Sequence, residues 1–303
     1  MATMVRSNAA DVIEVLNVRK TLEFAKPKLV YPQFGQPDMI MKRKGQTASW
    51  LRFDKLSVPS STLSDSPTWS PSTVTDTTVS ATLEFWGNGV EVVEFLEETS
   101  YLNLPDEYKK LIGQNAGETI NEKVRDILKA GTYAVFPNSR TGRHQLISTD
   151  YADLDVFVDA ATALEDADAP KIGDSYVAII RPHVKGRLLK NTAFREAVRY
   201  QKDSLFTGEL CEVDGVRFVV TSTAPTVSSQ GSQSTVATID QSIVLGDGAY
   251  GIARLMPGDF KVVVTPPGGH GDEYAVKTSI AWKSYLKSLI LIQEWMRRVE
   301  TAR

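Results

Sequence analysis

The sequence predicts a mixed α+β fold from which a long two-stranded arm and a second polar loop emerge. Three patterns support this prediction. A segment rich in Ser, Thr and Pro, residues 57–82, lies between apolar stretches that alternate with polar residues, and an amphipathic helix follows it. Several short apolar runs bounded by turn residues come after the helix, which is typical of strands mixed with helices around one core.

The composition is that of a globular protein and excludes several classes. The chain has 303 residues, of which 42% are hydrophobic and 23% charged, enough for a substantial core. A net charge of −3 argues against a protein that binds by neutralising phosphates. The basic run Lys42-Arg43-Lys44 is interpreted as a solvated loop.

The same composition indicates where the protein is made. A single cysteine rules out a disulfide within the chain, which fits a reducing compartment. No run approaches the ~20 apolar residues that span a bilayer, and no signal peptide is evident. The sequence therefore predicts a protein without a membrane partner, made and kept in cytosol-like conditions.

The arm is predicted from apolar residues on both sides of the polar segment. Residues 50–53 form a short strand-like run, and residues 79–85 alternate as a half-buried strand does; Gly87-Asn88-Gly89 is expected to end this second strand. The polar tip cannot bury enough surface to fold alone, so we expect neighbouring chains to cover the arm. Trp69, isolated in the tip, is the expected anchor of such a contact.

One long helix is clearly predicted after the arm. Pro105 suits a first helical position, Asp106 and Glu107 suit the first turn, and Gly131 suits the stop, which gives a rod of roughly 40 Å. The expected apolar stripe consists of Tyr108, Leu111, Ile112, Ala116, Ile120, Val124, Ile127 and Leu128.

The remaining elements are shorter. A second helix is predicted from Thr149 onward and a short one over residues 193–201. A strand buried on both faces is predicted over residues 176–180, and Arg181-Pro182 is expected to end it. Further strands are predicted over residues 215–220, 243–245, 249–255 and 260–265. A polar loop is predicted over residues 221–238. The apolar residues between positions 276 and 299 follow neither the helical nor the strand periodicity cleanly, so this segment could be a helix or a hairpin.

The search for catalytic chemistry gives no candidate centre. The histidines His144, His183 and His270 lie far apart, without metal-like spacing. Acidic groups at residues 97–98 and 165–168 are interpreted as solvated faces, and the glycine-rich residues 246–251 and 268–271 as turns. The sequence thus predicts no enzyme, cofactor or metal, although distant residues that converge in space would leave an enzyme as an alternative.

A succession of short motifs spans nearly the whole chain. They are Lys44-Gly45-Gln46-Thr47, Thr82-Leu83-Glu84 with Gly87, Tyr176-Val177-Ala178-Ile179-Ile180 with Pro182, Phe206-Thr207-Gly208-Glu209, Gly215-Val216-Arg217-Phe218-Val219, Val244-Leu245-Gly246 with Ala249-Tyr250-Gly251, and Trp282-Lys283 followed by Arg298-Val299-Glu300. With these motifs in this order, the chain resembles the major capsid protein of tailed bacteriophages, which has the Hong Kong 97 fold. More closely, it resembles the N-four-like podophage major capsid family.

The resemblance implies a division of the chain into the parts of that fold. These are an N-terminal arm (1–45), an extended hairpin loop (46–88), a peripheral domain with a spine helix and an antiparallel sheet (89–148), a central α/β axial domain (149–260) and returning peripheral strands (261–303). It also implies that the chain from Trp282 onward is strand that joins the spine sheet, which favours a hairpin over residues 276–299.

The resemblance implies a structural role. The chain is expected to form hexamers and pentamers of an icosahedral virion shell around double-stranded DNA, with weak non-specific DNA contact and assembly in the host cytoplasm. Scaffold, portal and decoration proteins are the further partners. The expected inter-subunit contacts are Trp50, Phe53, Lys55, Leu63, Trp69, Val79, Leu83 and Phe85. A cellular nanocompartment shell of the encapsulin type is the alternative to a phage capsid.

Overall fold

The computed structural model describes residues 29–53, 55–56, 58–59, 62, 71–100, 104–192, 194–196, 209–228, 238–256, 258–268, 272 and 274–303. Several predictions lie outside these residues. They concern the first 28 residues, Leu63, Trp69 and His270, and most of the short helix over residues 193–201.

The described residues form these strands: β1 (Gln36–Met41), β2 (Thr47–Phe53), β3 (Asp76–Thr82), β4 (Glu84–Val93), β5 (Ala134–Val135), β6 (Tyr176–Ile180), β7 (Glu209–Val213), β8 (Val216–Val220), β9 (Thr226–Ser228), β10 (Thr238–Leu245), β11 (Tyr250–Met256), β12 (Phe260–Thr265), β13 (Lys277–Ile290) and β14 (Met296–Ala302). The helices are α1 (Glu94–Thr99), α2 (Leu104–Leu128), α3 (Leu154–Glu165) and α4 (Pro182–Leu188). Short 3₁₀ turns lie at Tyr31–Gln33, Arg143–Gln145 and Gln293–Trp295.

Two sheets and one separate strand pair organise this part of the chain. A five-stranded sheet has the order β1-β11-β13-β12, with β4 on the other edge of β13, and α2 packs on it. A seven-stranded sheet has the order β5-β14-β10-β6-β8-β7, with β9 on β10, and α3 packs on it. The pair β2–β3 is the arm. The predicted mixture of helix and sheet is confirmed, and both larger sheets combine parallel and antiparallel pairs.

The long helix α2 begins at Leu104, next to the proline that predicted its start. Ile112 and Ala116 pack on the five-stranded sheet, and Val124 and Leu128 continue the same face. Leu111 is exposed, contrary to the predicted stripe, because it lies one position off that face.

A polar residue shares the buried face of α2. Asn121 is fully buried, and its side-chain oxygen accepts hydrogen bonds from the backbone N–H of Val30 at 2.9 Å and of Tyr31 at 3.0 Å. Its amide nitrogen donates to Thr223 Oγ1 at 2.8 Å. This side chain therefore fixes the segment before β1 against the helix.

The core of the seven-stranded sheet follows the predicted pattern. All five residues of β6 are buried, as expected for a strand covered on both faces. Phe218 of β8 contacts Phe157 and Phe194 edge to face, with ring centroids 5.2 and 5.5 Å apart. The helix expected from Thr149 begins later, at Leu154, because the side chain of Asp153 caps it.

The segment after β6 corrects another prediction. Pro182 does stop the strand, but it also occupies the first turn of helix α4, where a missing N–H costs nothing. The predicted polar loop over residues 221–238 contains the short strand β9, which pairs with β10.

The second arm strand was predicted wrongly at its end. The chain leaves the arm at Leu83, so β3 pairs with β2 whereas β4 pairs with β13. The glycines that were expected to end the strand lie inside β4. A Cβ at Gly87 would lie 2.7 Å from the carbonyl oxygen of Trp282, and one at Gly89 would lie 2.8 Å from the Cβ of Ala281. They permit close approach of two strands, which is another reason for glycine in a strand.

The strand expected from Trp282 onward does join the sheet on which α2 packs, as β13, but the hairpin expected over residues 276–299 is wrong. Strand β13 is paired on both edges, by β4 on one side and by β11 and β12 on the other. Strand β14 instead pairs with β10 and β5 of the other sheet. The division of the chain into five ranges stays a prediction.

Candidate inter-subunit arm

The arm is a regular antiparallel pair. Trp50 lies opposite Val79, and Phe53 opposite Asp76 at the far end of the pair. At the base, the backbone N–H of Leu83 donates to the carbonyl of Gln46 at 2.8 Å. This hydrogen bond closes the root of the arm where the chain passes into β4.

One face of the arm root lies on the chain's own sheet. Ala48 is buried against Ile40 of β1 and Ala253 of β11, with Trp50 packed against the same cluster. The indole lies directly over Gly251, where a Cβ would be 2.7 Å from a ring carbon. The root is therefore anchored by its own chain, which the sequence did not predict.

Substituting Gly251 with Val should release this anchor. The new side chain cannot share space with the Trp50 indole, so we expect the arm to be cleaved several-fold faster in limited proteolysis while the far-UV circular dichroism stays native. Gly186→Ala in α4 is the matched control, since nothing lies within 4 Å of its added Cβ. Equal cleavage rates in the two variants would contradict the anchoring role of Gly251.

The opposite face of the arm is apolar and exposed. Leu51 is 56% exposed and Phe53 is 65% exposed, on alternate positions of β2 that point away from the sheet under Trp50. At the base, Phe85 is also exposed and lies against Tyr285, with ring centroids 5.1 Å apart. Large apolar side chains on a protruding strand pair are typical of a surface that another molecule covers.

The other expected contact residues are distributed between the root and the surface. Leu83 is half-buried in the cluster under Trp50, and Val79 is half-buried in β3. Lys55, just beyond β2, has its Nζ 3.1 Å from a carboxylate oxygen of Asp168 in the same chain. Both side chains are exposed, so this ion pair contributes little to holding the arm in place. The contact role of all these residues stays a prediction.

The histidines and acidic residues considered for a catalytic site form no common cluster in the described part of the chain. His183 Nδ1 lies 3.1 Å from Asp240 Oδ2, while His144 is exposed in a 3₁₀ turn. Across the described ranges, no group of three His, Cys, Asp or Glu side chains is placed to hold a metal ion. Glu165 is exposed and forms an ion pair with Lys171 at 2.9 Å, as expected of a solvated face. In the same part of the chain, no helix is long and apolar enough to cross a membrane.

A buried ionic cluster supports the seven-stranded sheet. Glu300 of β14 is fully buried; its Oε1 accepts hydrogen bonds from Arg143 Nη2 at 2.6 Å, Arg298 Nε at 2.6 Å and Gln241 Nε2 at 2.8 Å. Burial alone would raise the pKa of Glu300, but the hydrogen bonds from Arg143 and Gln241 and the charge of Arg298 outweigh it and lower the pKa. The partners of Glu300 come from segments distant in the sequence, so no local signal marks Glu300 as part of an ionic cluster.

The lowered pKa of Glu300 predicts a loss of stability in acid. Because the folded-state pKa of Glu300 lies below its pKa in the unfolded chain, the stabilisation is fully present above the unfolded-state pKa and is lost as the pH falls through the folded-state pKa. Denaturant unfolding of wild type and Glu300→Gln between pH 7 and pH 2.5 should show the two curves converging at low pH. A constant difference across this range would contradict the assignment.

Comparisons with known proteins identify the fold. No protein-family model matches the sequence, and no curated protein does. Solved structures do: the capsid of the cyanophage P-SCSP1u has a TM-score of 0.67 and 14% identity over 91% of this chain and 88% of that one. The capsid of Ralstonia phage GP4 has the same TM-score and identity over 91% of both chains, and that of cyanophage Pam1 has 0.62 and 12% over 94% and 93%.

These matches define the class of fold, which is that of phage capsid chains. The likeness runs over about nine tenths of each compared chain. The chain thus has the Hong Kong 97-type fold, as its resemblance to tailed-phage capsid proteins predicted.

Proposed function

We propose that this chain is the major capsid protein of a tailed bacteriophage, which self-assembles as hexamers and pentamers into an icosahedral shell around double-stranded DNA. The observation that supports this most is the coverage of the structural likeness. The likeness covers 91% of this chain and 88% to 91% of the matched capsid chains. Because the matched chains are capsid proteins, a shell subunit is the simplest function for a chain with the same fold.

The geometry of the arm supports the proposal independently. Its root is held by Trp50 on Gly251, whereas Leu51 and Phe53 present apolar surface away from the body. A contact between this arm and a different surface of the next copy is head-to-tail, and such contacts form rings when the rotation between copies closes. Because each subunit makes many weak contacts at once, the closed shell is stable even if each contact is weak.

The contact set is part of this proposal. The arm residues that we expect to meet neighbouring copies are Trp50, Phe53, Lys55, Leu63, Trp69, Val79, Leu83 and Phe85. A subunit with net charge −3 suits an inner surface that does not grip packaged DNA, so the DNA contact is weak and non-specific. Scaffold, portal and decoration proteins are the additional partners, the virion is the final location, and the host cytoplasm is the site of assembly.

The decisive experiment is to ask what particles of this protein contain. Particles isolated from producing cells and treated with nuclease should yield protected double-stranded DNA and appear as closed shells by negative-stain microscopy. Closed shells that hold a protein cargo and no DNA would identify a nanocompartment instead. Failure of the chain to form any shell, alone or with its host factors, would reject a capsid function altogether.

A further inference from the structure

An exposed strip of methionines lies on one edge of the five-stranded sheet. Met39 and Met41 of β1 are 57% and 60% exposed, and Met256 of β11, opposite Met41, is also exposed. These side chains lie on the sheet face that α2 covers elsewhere, since Arg254, opposite Met39, pairs with the buried Leu286. We call Met39, Met41 and Met256 the methionine strip.

Positive charge surrounds this strip. Lys42, Arg43 and Lys44 follow Met41 directly and are all exposed. The Nε of Arg254, next to Met39, is buried and has no hydrogen-bond partner among the described residues, while its Nη1 is 4.0 Å from Asp259. The guanidinium of Arg254 therefore adds a further positive charge beside the strip.

A surface of opposite charge lies at the other end of the same sheet. Helix α1 presents Phe95, 75% exposed, and Leu96, also exposed. Glu94 and Glu98 flank them and are exposed, and Glu97 is half-buried. We call residues 94–98 the acidic knob.

The knob cannot reach the strip within one chain. The knob follows Val93, which pairs with Lys277, whereas Arg254 beside the strip pairs with Leu286. The stretch of β13 between these two partners spans roughly 30 Å at about 3.4 Å per residue. Because one sheet holds the acidic knob and the methionine strip apart, these two surfaces can contact each other only between two copies of the chain.

We propose that the acidic knob of one copy docks on the methionine strip of a second copy, with Glu94 and Glu98 facing the exposed cations Lys42, Arg43 and Lys44 that follow Met41. The inference rests on the proposed shell function and adds a contact that does not use the arm. Methionine side chains are flexible enough to repack, so one strip can accept the knob at the different angles of hexamers and pentamers. The ionic part weakens with salt.

A charge-swap experiment tests this pairing. The variants are K42E/R43E, E94K/E98K and the combination of all four changes, with K42R/R43K as the control that keeps the charge. We expect each double variant to form at least tenfold fewer closed shells than wild type, counted by negative-stain microscopy, and the combined variant to recover most of them because the two surfaces are again complementary. Circular dichroism confirms that each subunit is folded.

A second measurement identifies the surfaces directly. Shells assembled from a mixture of ¹⁴N- and ¹⁵N-labelled subunits are treated with a carbodiimide, which joins carboxylates to amines in contact. Peptides with mixed isotopes that link Glu94 or Glu98 to Lys42 or Lys44 would support the proposal. If wild type forms shells and both double variants also form them at normal yield, the proposal is overturned and the capsid function is left intact. The same holds if wild type forms shells and the combined variant recovers none of the lost yield. Absence of wild-type shells would overturn both.

Discussion

Replacing residues 54–75 with an Asn-Gly turn is expected to give a folded subunit that no longer forms closed particles. Phe53 and Asp76 lie opposite each other at the end of the arm pair, so a two-residue turn can join them without disturbing β2 and β3. The body keeps its core, because Trp50 and Ala48 still pack on the sheet. We therefore expect at least tenfold fewer shells by electron microscopy, with a native circular dichroism spectrum and nearly unchanged heat unfolding.

The comparison that matters for this variant is its behaviour in mixtures. Since the shortened subunit keeps the surfaces that receive a neighbour's arm, adding it in excess to wild-type subunits should also reduce the yield of closed shells. Normal yields of shells from the shortened variant alone would contradict the role of the arm tip in assembly.

Substituting Glu300 with Gln is expected to cause the largest loss of stability of any single change discussed. The amide keeps the shape of the side chain but removes the charge that Arg143 and Arg298 face in a fully buried position. Breaking a buried ion pair on one side costs about 3–5 kcal/mol in unfolding free energy. Urea unfolding of the purified subunit at pH 7 measures this loss.

Glu165→Gln is the control for that measurement. Glu165 also forms an ion pair, with Lys171, but both side chains are well exposed, so removing the charge should change stability little. Similar unfolding free energies for Glu300→Gln, Glu165→Gln and wild type would show that the buried cluster does not stabilise the fold.

The parts of the fold that sequence analysis predicted well depend on local signals. Helix α2 has its proline at the start, its acidic first turn and a regular apolar spacing within one segment, so its position needed no information from elsewhere. The same holds for β6, whose five apolar residues form one uninterrupted run.

The parts predicted wrongly depend on partners that are distant in the sequence. Residues 79–85 alternate without interruption, so nothing local marks Leu83 as the point where the chain leaves the arm for β13. Likewise, β13 and β14 look like a hairpin because they are adjacent, but β13 already has partners on both edges. Strand pairing across the whole chain decides both cases.

The candidate site was predicted in outline only. The polar composition indicated an arm, but the anchoring of Trp50 depends on the empty space over Gly251, two hundred residues later, and an isolated glycine gives no such signal. The neutral interpretation of Lys42-Arg43-Lys44 as a solvated loop was reasonable for three charges alone. Their position beside exposed methionines and Arg254 depends on the pairing register of β1 with β11, which three charges in sequence do not reveal.

The central claim is that the outer face of the arm is completed by neighbouring copies of this chain. A cryo-electron microscopy reconstruction of the assembled particle tests it directly. We expect the side chains of Leu51 and Phe53 to lie within about 4 Å of side chains from an adjacent subunit, which is the distance of apolar contact. A reconstruction in which this face of the arm is open to solvent in every subunit, or a protein that remains a monodisperse monomer, would contradict the claim.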